Sequence, residues 1–200
     1  MTRLFPPFQQ ASKTQAGFAL LEVLIAILVL TVGLIGAAMM QLHAARTTEQ
    51  SNLHDTALAL AMQIADELRA NDTEARKPGT AGSINPFLPF DWSVGSSIIS
   101  GVDCYASLCS TAELAVQSKK DWESRAQLSL PGGHIEICRD ATVTPPSTAS
   151  LTWCGSGSAS AAAIDIPIVI KIGWNERDAN GRSVADLSPR VAVLVSPFSQ

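Results

Sequence analysis

One carboxylate lies inside the longest apolar run of this 200-residue chain. Residues 18–40 contain no charged side chain except Glu22, which follows Phe18 by four positions. At about 1.5 Å per residue, a helix over this run would be about 35 Å long, more than a hydrocarbon core of about 30 Å. A charged side chain in such a segment costs on the order of a few kcal/mol in lipid and usually marks a function. Glu22 is therefore the first candidate functional residue.

Positive charges on one side of the run set its expected orientation. Arg3 and Lys13 precede it, no acidic residue comes before Glu22, and Arg46 is the first arginine or lysine after it. The positive-inside rule places the start of the chain in the cytoplasm and the remainder outside. When the charges of Arg3 and Lys13 are removed, the formal charge of −4 becomes −6. Such a chain lacks the basic surface of a nucleic-acid-binding protein, so we expect no nucleic-acid partner.

Four cysteines supply the second candidate chemistry, and all of them follow the apolar run, in a compartment where disulfides persist. They allow three connectivities. Pairing of neighbours, Cys104 with Cys109 and Cys138 with Cys154, is favoured, and the other two connectivities remain open. A zinc site would need Cys-x2-Cys spacing or nearby histidines, and His134 is the only histidine in the region. We expect neither a metal nor a cofactor.

Catalytic patterns are weak in this sequence. The histidines His43, His54 and His134 have no serine or cysteine nucleophile motif beside them. Residues 178–181 (Asp-Ala-Asn-Gly) resemble the start of a calcium loop but lack its later bidentate glutamate, so a polar hairpin turn is the preferred interpretation. We expect no enzymatic activity.

The boundary of the apolar run carries a more specific pattern. Gly17 ends a leader with only positive charge, Phe18 begins the run, and Glu22 lies within it. This pattern resembles the class III signal of type IV prepilins and pseudopilins. The resemblance implies that an inner-membrane prepilin peptidase cuts between Gly17 and Phe18 and methylates the new amino terminus. It also implies that Glu22 pairs with that ammonium group in the same or a neighbouring subunit, which would fix the register between helices.

Two other classes of segment fit less well. In a secretory signal peptide, Ala37-Ala38 could serve as a cleavage site, but Glu22 would be a poor choice inside its apolar core. An ordinary single-pass anchor explains the length and the flanking charges. It gives no reason for Gly17-Phe18 or for Glu22.

Two further stretches, residues 58–71 and 110–133, resemble minor pilins of the PilV (type IV pilus modification protein) family. The resemblance implies a structural subunit that primes pilus assembly from the inner membrane and reaches the cell surface in the pilus, with adhesion and twitching motility as associated functions. Its expected partners are other minor pilins, the major pilin, prepilin peptidase and a tip adhesin. A minor pseudopilin of a type II secretion system is the nearest alternative. A membrane-tethered periplasmic binding protein or enzyme is an alternative of another class.

A long helix must position these residues. No proline occurs between Phe18 and Lys77, which predicts one continuous helix of about fifty residues. Its outer half has an apolar stripe at helical period, formed by Leu53, Ala57, Leu60, Ile64 and Leu68. The chain is thus divided into a leader (1–17), a transmembrane half-helix (18–40), an amphipathic half-helix (41–71) and a periplasmic or extracellular pilin domain (72–200).

The remaining domain is expected to be a small sheet with a second helix. Ser110 and Glu113 form a capping-box pattern that begins a helix, and Pro131 ends it. Strands are expected at residues 135–138, 151–154, 164–174 and 190–195, while residues 72–110 are expected to be loop. Short strands with hairpin-sized connections favour an antiparallel sheet. The predicted class is α+β and pilin-like, with the long N-terminal helix packed on the sheet.

Overall fold

A computed structural model of the chain describes residues 20–78, 84–96, 99–140, 151–155, 164–177, 183–184 and 188–195. Its helices in these ranges are α1 (Leu20–Ala70), α2 (Asp72–Ala75) and α3 (Thr111–Ser129). Its strands there are β1 (Phe90–Ser93), β2 (His134–Arg139), β3 (Ile168–Gly173), β4 (Glu176–Arg177), β5 (Ser183–Val184) and β6 (Val191–Val195). Internal contacts divide the chain into an N-terminal unit that ends at Thr47 and a C-terminal unit that begins at Thr48.

Helix α1 is continuous over 51 residues, which confirms the prediction of one long helix. Within the C-terminal unit its apolar stripe belongs to the core: Ala57, Ile64 and Leu68 are fully buried, and Leu53 packs against them. Ala61 and Ala65, which are also fully buried, widen the buried face. The stripe prediction is confirmed.

Strands β1, β2, β3 and β6 form one antiparallel sheet in the order β1-β2-β3-β6. Alternate residues of each strand face α1 and α3 and join their apolar side chains in one core. These core residues of the sheet are Phe90, Trp92, Ile135, Ile137, Ile168, Ile170, Ile172, Val191, Val193 and Val195. The predicted α+β architecture, a long N-terminal helix packed on a four-strand antiparallel sheet, is therefore confirmed.

The membership of the sheet differs from the prediction in three places. Residues 151–154 form no strand, and β3 begins at Ile168 rather than at residue 164. The fourth strand is instead β1, which lies in the region expected to be loop. This strand has only four residues, which alternate between buried and exposed, and it directly follows Pro89. The sequence pattern that would predict a strand here is therefore weak. Pairing with β2 and burial of two aromatic rings define this strand.

Helix α3 begins where the capping box predicts. The Oγ of Ser110 accepts a hydrogen bond from the Glu113 backbone N–H at 3.3 Å, and the Ser110 backbone N–H donates to the Glu113 carboxylate at 2.8 Å. The Ser110 hydroxyl also donates to Glu113 Oε2 at 2.8 Å, and the two hydrogen bonds that the carboxylate accepts from Ser110 lower the pKa of Glu113. Helix α3 ends at Ser129, before Pro131. A separate hairpin, β4 with β5, flanks residues 178–182, so the turn predicted at residues 178–181 lies outside the described residues.

Candidate functional site

The predicted cleavage site and its carboxylate lie at the start of α1. Glu22 occupies the first turn of the helix, while Gly17 and Phe18 lie outside the described residues. A carboxylate in the first turn is favoured by the positive end of the helix dipole. Four positions separate Glu22 from Phe18, the spacing at which two residues of a helix share one face.

The first half of α1 exposes its apolar side chains. Leu24, Leu28 and Leu34 are all more than 60% exposed, and every described residue before position 51 is exposed. By length and composition, α1 is the one described helix that could cross a membrane. Because water solvates such a surface poorly, the segment requires lipid or apolar helices of other subunits around it.

Comparison with known proteins bears on this same segment. Residues 12–38 match the family described as the prokaryotic N-terminal methylation motif. The chain carries the N-terminal methylation motif of type IV pilins and pseudopilins. No curated protein and no solved structure matches the chain significantly. The matched segment includes Gly17, Phe18 and Glu22, and it ends before the C-terminal unit begins.

The motif indicates a general class of protein rather than a specific role in a pilus. It implies processing by prepilin peptidase and assembly with pilins, and proteins that carry it are generally structural rather than enzymatic. Together with the apolar half of α1, it is consistent with anchoring in the inner membrane before assembly.

In the C-terminal unit, charged residues cross the outer face of the sheet in register. Asp91 of β1 pairs with Glu136 of β2, and Glu136 pairs with Lys171 of β3. The Lys171 ammonium is buried and donates to Asp140 Oδ2 at 2.6 Å. Burial raises the pKa of Glu136, against the opposing effect of a backbone hydrogen bond.

Residues 151–155, here called the strap, lie over this charged row. The Cys154 backbone N–H donates to Glu136 Oε2 at 2.6 Å, and Lys171 Nζ donates to the Thr152 carbonyl at 2.7 Å. The ring of His134 stacks on Trp153 with centroids 3.9 Å apart. The strap explains why all six residues of β3 are buried although only alternate ones face the core. No local pattern in the sequence indicates what covers the outward-facing residues of β2.

The four cysteines form two bonds in the structure, Cys104–Cys109 and Cys138–Cys154. The second bond ties the strap to β2, beside the Cys154–Glu136 hydrogen bond. The first bond closes the loop 104–109, here called the disulfide knob, which directly precedes the cap of α3.

In the described part of the chain, the histidines and acidic residues assemble no metal centre. His43 and His54 both lie on α1, and His134 lies on β2, where its Nε2 is 2.8 Å from Asp91 Oδ1. No group of three or more His, Cys, Asp or Glu side chains there could hold a metal ion. The candidate functional site is therefore the N-terminal segment.

A partly buried hydrogen bond joins α1 and α3. The indole Nε1 of Trp122 on α3 donates to Glu67 Oε2 on α1 at 2.7 Å, and Gln63 Nε2 donates to the other carboxylate oxygen at 3.0 Å. The Trp122 ring is fully buried between Phe87 and Phe90, with both centroids 5.9 Å away. The sequence showed both helices but not this contact, because the residues are 55 positions apart.

Proposed function

We propose that the chain is a minor type IV pilin of the PilV kind, a structural subunit that primes or modifies pilus assembly. The observation that carries the proposal is the N-terminal methylation motif at residues 12–38, in a chain whose C-terminal unit has a pilin-like fold. The region of residues 110–133, with its capped helix and its proline-glycine end, supports the PilV assignment by resemblance. Its partners are other minor pilins, the major pilin and a tip adhesin.

The mechanism is physical rather than catalytic. After cleavage, the methylated amine of Phe18 carries a positive charge at the start of the apolar helix. Glu22 compensates it in the same subunit or a neighbouring one. Removing one partner of a buried ion pair costs about 3 kcal/mol or more, roughly a hundredfold in an association constant. The pair therefore fixes helix register, while burial of the apolar helices drives their association.

Cleavage is tested first, by intact-mass analysis of the protein from its native host. The expected mature chain begins with N-methylated Phe18. A leader left uncut in cells with active peptidase, or a mature end near Met39, would contradict the proposal.

Assembly is tested in the same strain with Glu22→Gln as the only copy. The variant should be inserted and cleaved, because loss of the charge makes the run more apolar, but its incorporation into pili or the priming complex should fall. Glu49→Gln is the matched control, since Glu49 is an exposed glutamate on the same helix, outside the apolar run. Normal piliation with Glu22→Gln, once redundancy among minor pilins is excluded, would remove Glu22 from the mechanism.

The minor pseudopilin of a type II secretion system shares the motif and the fold, and deletion of the gene distinguishes the two. A minor pilin predicts loss of surface pili with secretion intact, whereas a pseudopilin predicts the reverse. A membrane-tethered binding protein or enzyme predicts that neither changes and that cleavage after Gly17 is dispensable.

A further inference from the structure

Two large apolar side chains stand out from the disulfide knob. Leu108 is fully exposed and Tyr105 is 80% exposed, and among the described residues of the C-terminal unit the other comparably exposed large apolar side chains are Leu128 and Ile84. Single exposed apolar residues are common on protein surfaces. Here two of them lie within one six-residue loop, which the Cys104–Cys109 bond closes.

Hydrogen bonds within the knob and to α3 hold this loop in place. The Tyr105 hydroxyl donates to Asp121 Oδ2 on α3 at 2.7 Å, and this hydrogen bond raises the pKa of Tyr105. Asp103 binds the loop from within: its Oδ1 accepts from the Tyr105 backbone N–H at 3.0 Å, and its carbonyl accepts from Ser107 Oγ at 2.7 Å. Much of the ordering that a flexible loop would undergo on binding has therefore already occurred on folding.

The base of the knob is fixed to α3 on both sides. On one side, Lys120 Nζ donates to the Gly101 carbonyl at 2.8 Å, and a Cβ at Gly101 would lie 2.9 Å from Val116 Cγ1, so the backbone there lies directly on the helix. On the other side, the capping box of Ser110 directly follows Cys109. The loop that carries the two exposed side chains is thus anchored to α3 at both ends.

The charges in and around the knob indicate which kind of surface it can bind. Residues 101–113 contain two carboxylates, Asp103 and Glu113, and no lysine, arginine or histidine. Two basic residues of α3 act on this region: Lys120 binds the Gly101 carbonyl, and Arg125 interacts electrostatically with Tyr105. A membrane surface with anionic lipids would repel this loop, whereas a protein pocket with a basic rim would attract it.

We infer that the disulfide knob is a docking site, which inserts Leu108 and the ring of Tyr105 into an apolar pocket with a lysine or arginine at its rim on a neighbouring pilin subunit. This inference rests on the proposed function, because assembly supplies that subunit. A few residues carry most of the binding energy in protein interfaces, and tyrosine is one of the types enriched among them.

The contact is tested first by crosslinking in the native host. A photoreactive benzoylphenylalanine replaces Leu108 in the full-length chain, and the control carries it at Leu128, an exposed leucine on α3 outside the knob. Peptide mass spectrometry identifies the adducts. We expect position 108, but not position 128, to yield a peptide from another chain that bears an N-terminal methylation motif. Adducts with lipid alone, or equal yields at both positions, would overturn the inference.

Binding is then measured by recovery of partner pilins with the detergent-solubilised full-length chain. Leu108→Ser with Tyr105→Ser should lower recovery by about tenfold or more, while Leu128→Ser leaves it unchanged. An unchanged thermal midpoint and an intact Cys104–Cys109 peptide establish that the variants are folded. Recovery equal to wild type in such folded variants would refute the docking role alone. If the wild-type chain itself is uncleaved or recovers no pilin, the proposed function fails instead.

Discussion

The hydrogen bond between Trp122 and Glu67 should be the strongest single polar contact between α1 and α3. Trp122→Phe preserves an aromatic ring between Phe87 and Phe90 but removes the donor to the Glu67 carboxylate. A hydrogen bond to a charged group contributes about 1.5–3 kcal/mol, and the smaller ring leaves a cavity that costs about 1 kcal/mol more. We therefore expect the free energy of unfolding to fall by about 3 kcal/mol.

Urea unfolding of a soluble chain that begins at Thr48 would measure this change, and a double-mutant cycle with Glu67→Ala isolates the pair. We expect a coupling energy of about 1.5 kcal/mol or more. The ion pair between Arg69 and Asp66, 2.7 Å apart on the same helix, is the control. Because both of its side chains are exposed, its coupling should stay below about 0.5 kcal/mol. Equal coupling in the two pairs would refute the idea that burial makes the Trp122 contact strong.

Three further predictions concern the sheet, its strap and α3. A Cβ at Gly173 would lie 2.9 Å from Trp153 Cζ2, so Gly173→Val should displace that ring. The free energy of unfolding should fall by about 1–3 kcal/mol, and a quencher added to the solution should reduce the tryptophan fluorescence of the variant more than that of the wild type. Burial raises the pKa of Glu123, so wild-type stability should fall as pH rises from the ordinary glutamate pKa through the raised one, and urea unfolding of Glu123→Gln should show a flatter pH profile over that range. Non-reducing peptide mapping should yield a Cys138–Cys154 peptide, and Cys138→Ser should lower the free energy of unfolding by about 3 kcal/mol; a Cys109–Cys138 peptide would contradict this pairing.

The sequence predicted best those elements whose signal is local. The stripe of α1 repeats every three or four residues, and its members Ala57, Ile64 and Leu68 are fully buried. The start of α3 depends on two residues three positions apart, Ser110 and Glu113, and both capping bonds form. In each case the residues that determine the element are neighbours in the chain, so a pattern can reveal them.

The errors lie where distant residues determine the structure. β1 is a strand because the side chains of Phe90 and Trp92 are buried in the core that α1, α3 and β2 form. The expected strand at 151–154 has the right residue types, but its backbone and side chains contact the outer face of the sheet rather than a sheet edge. The disulfide with Cys138 holds it on that face. No local pattern distinguishes a strand from a strap of this kind.

The two units of this chain obtain their stability from different sources. In the C-terminal unit, Ile64, Leu68 and the strands bury one another within a single chain. In the first half of α1, Leu24 and Leu28 remain exposed, and an aliphatic side chain gains about 1.5–3 kcal/mol when it is fully buried. That free energy becomes available only in lipid or among other helices. Glu22 is the one charged residue in this surface, so its effect should be measurable in assembly and absent from the unfolding of the C-terminal unit.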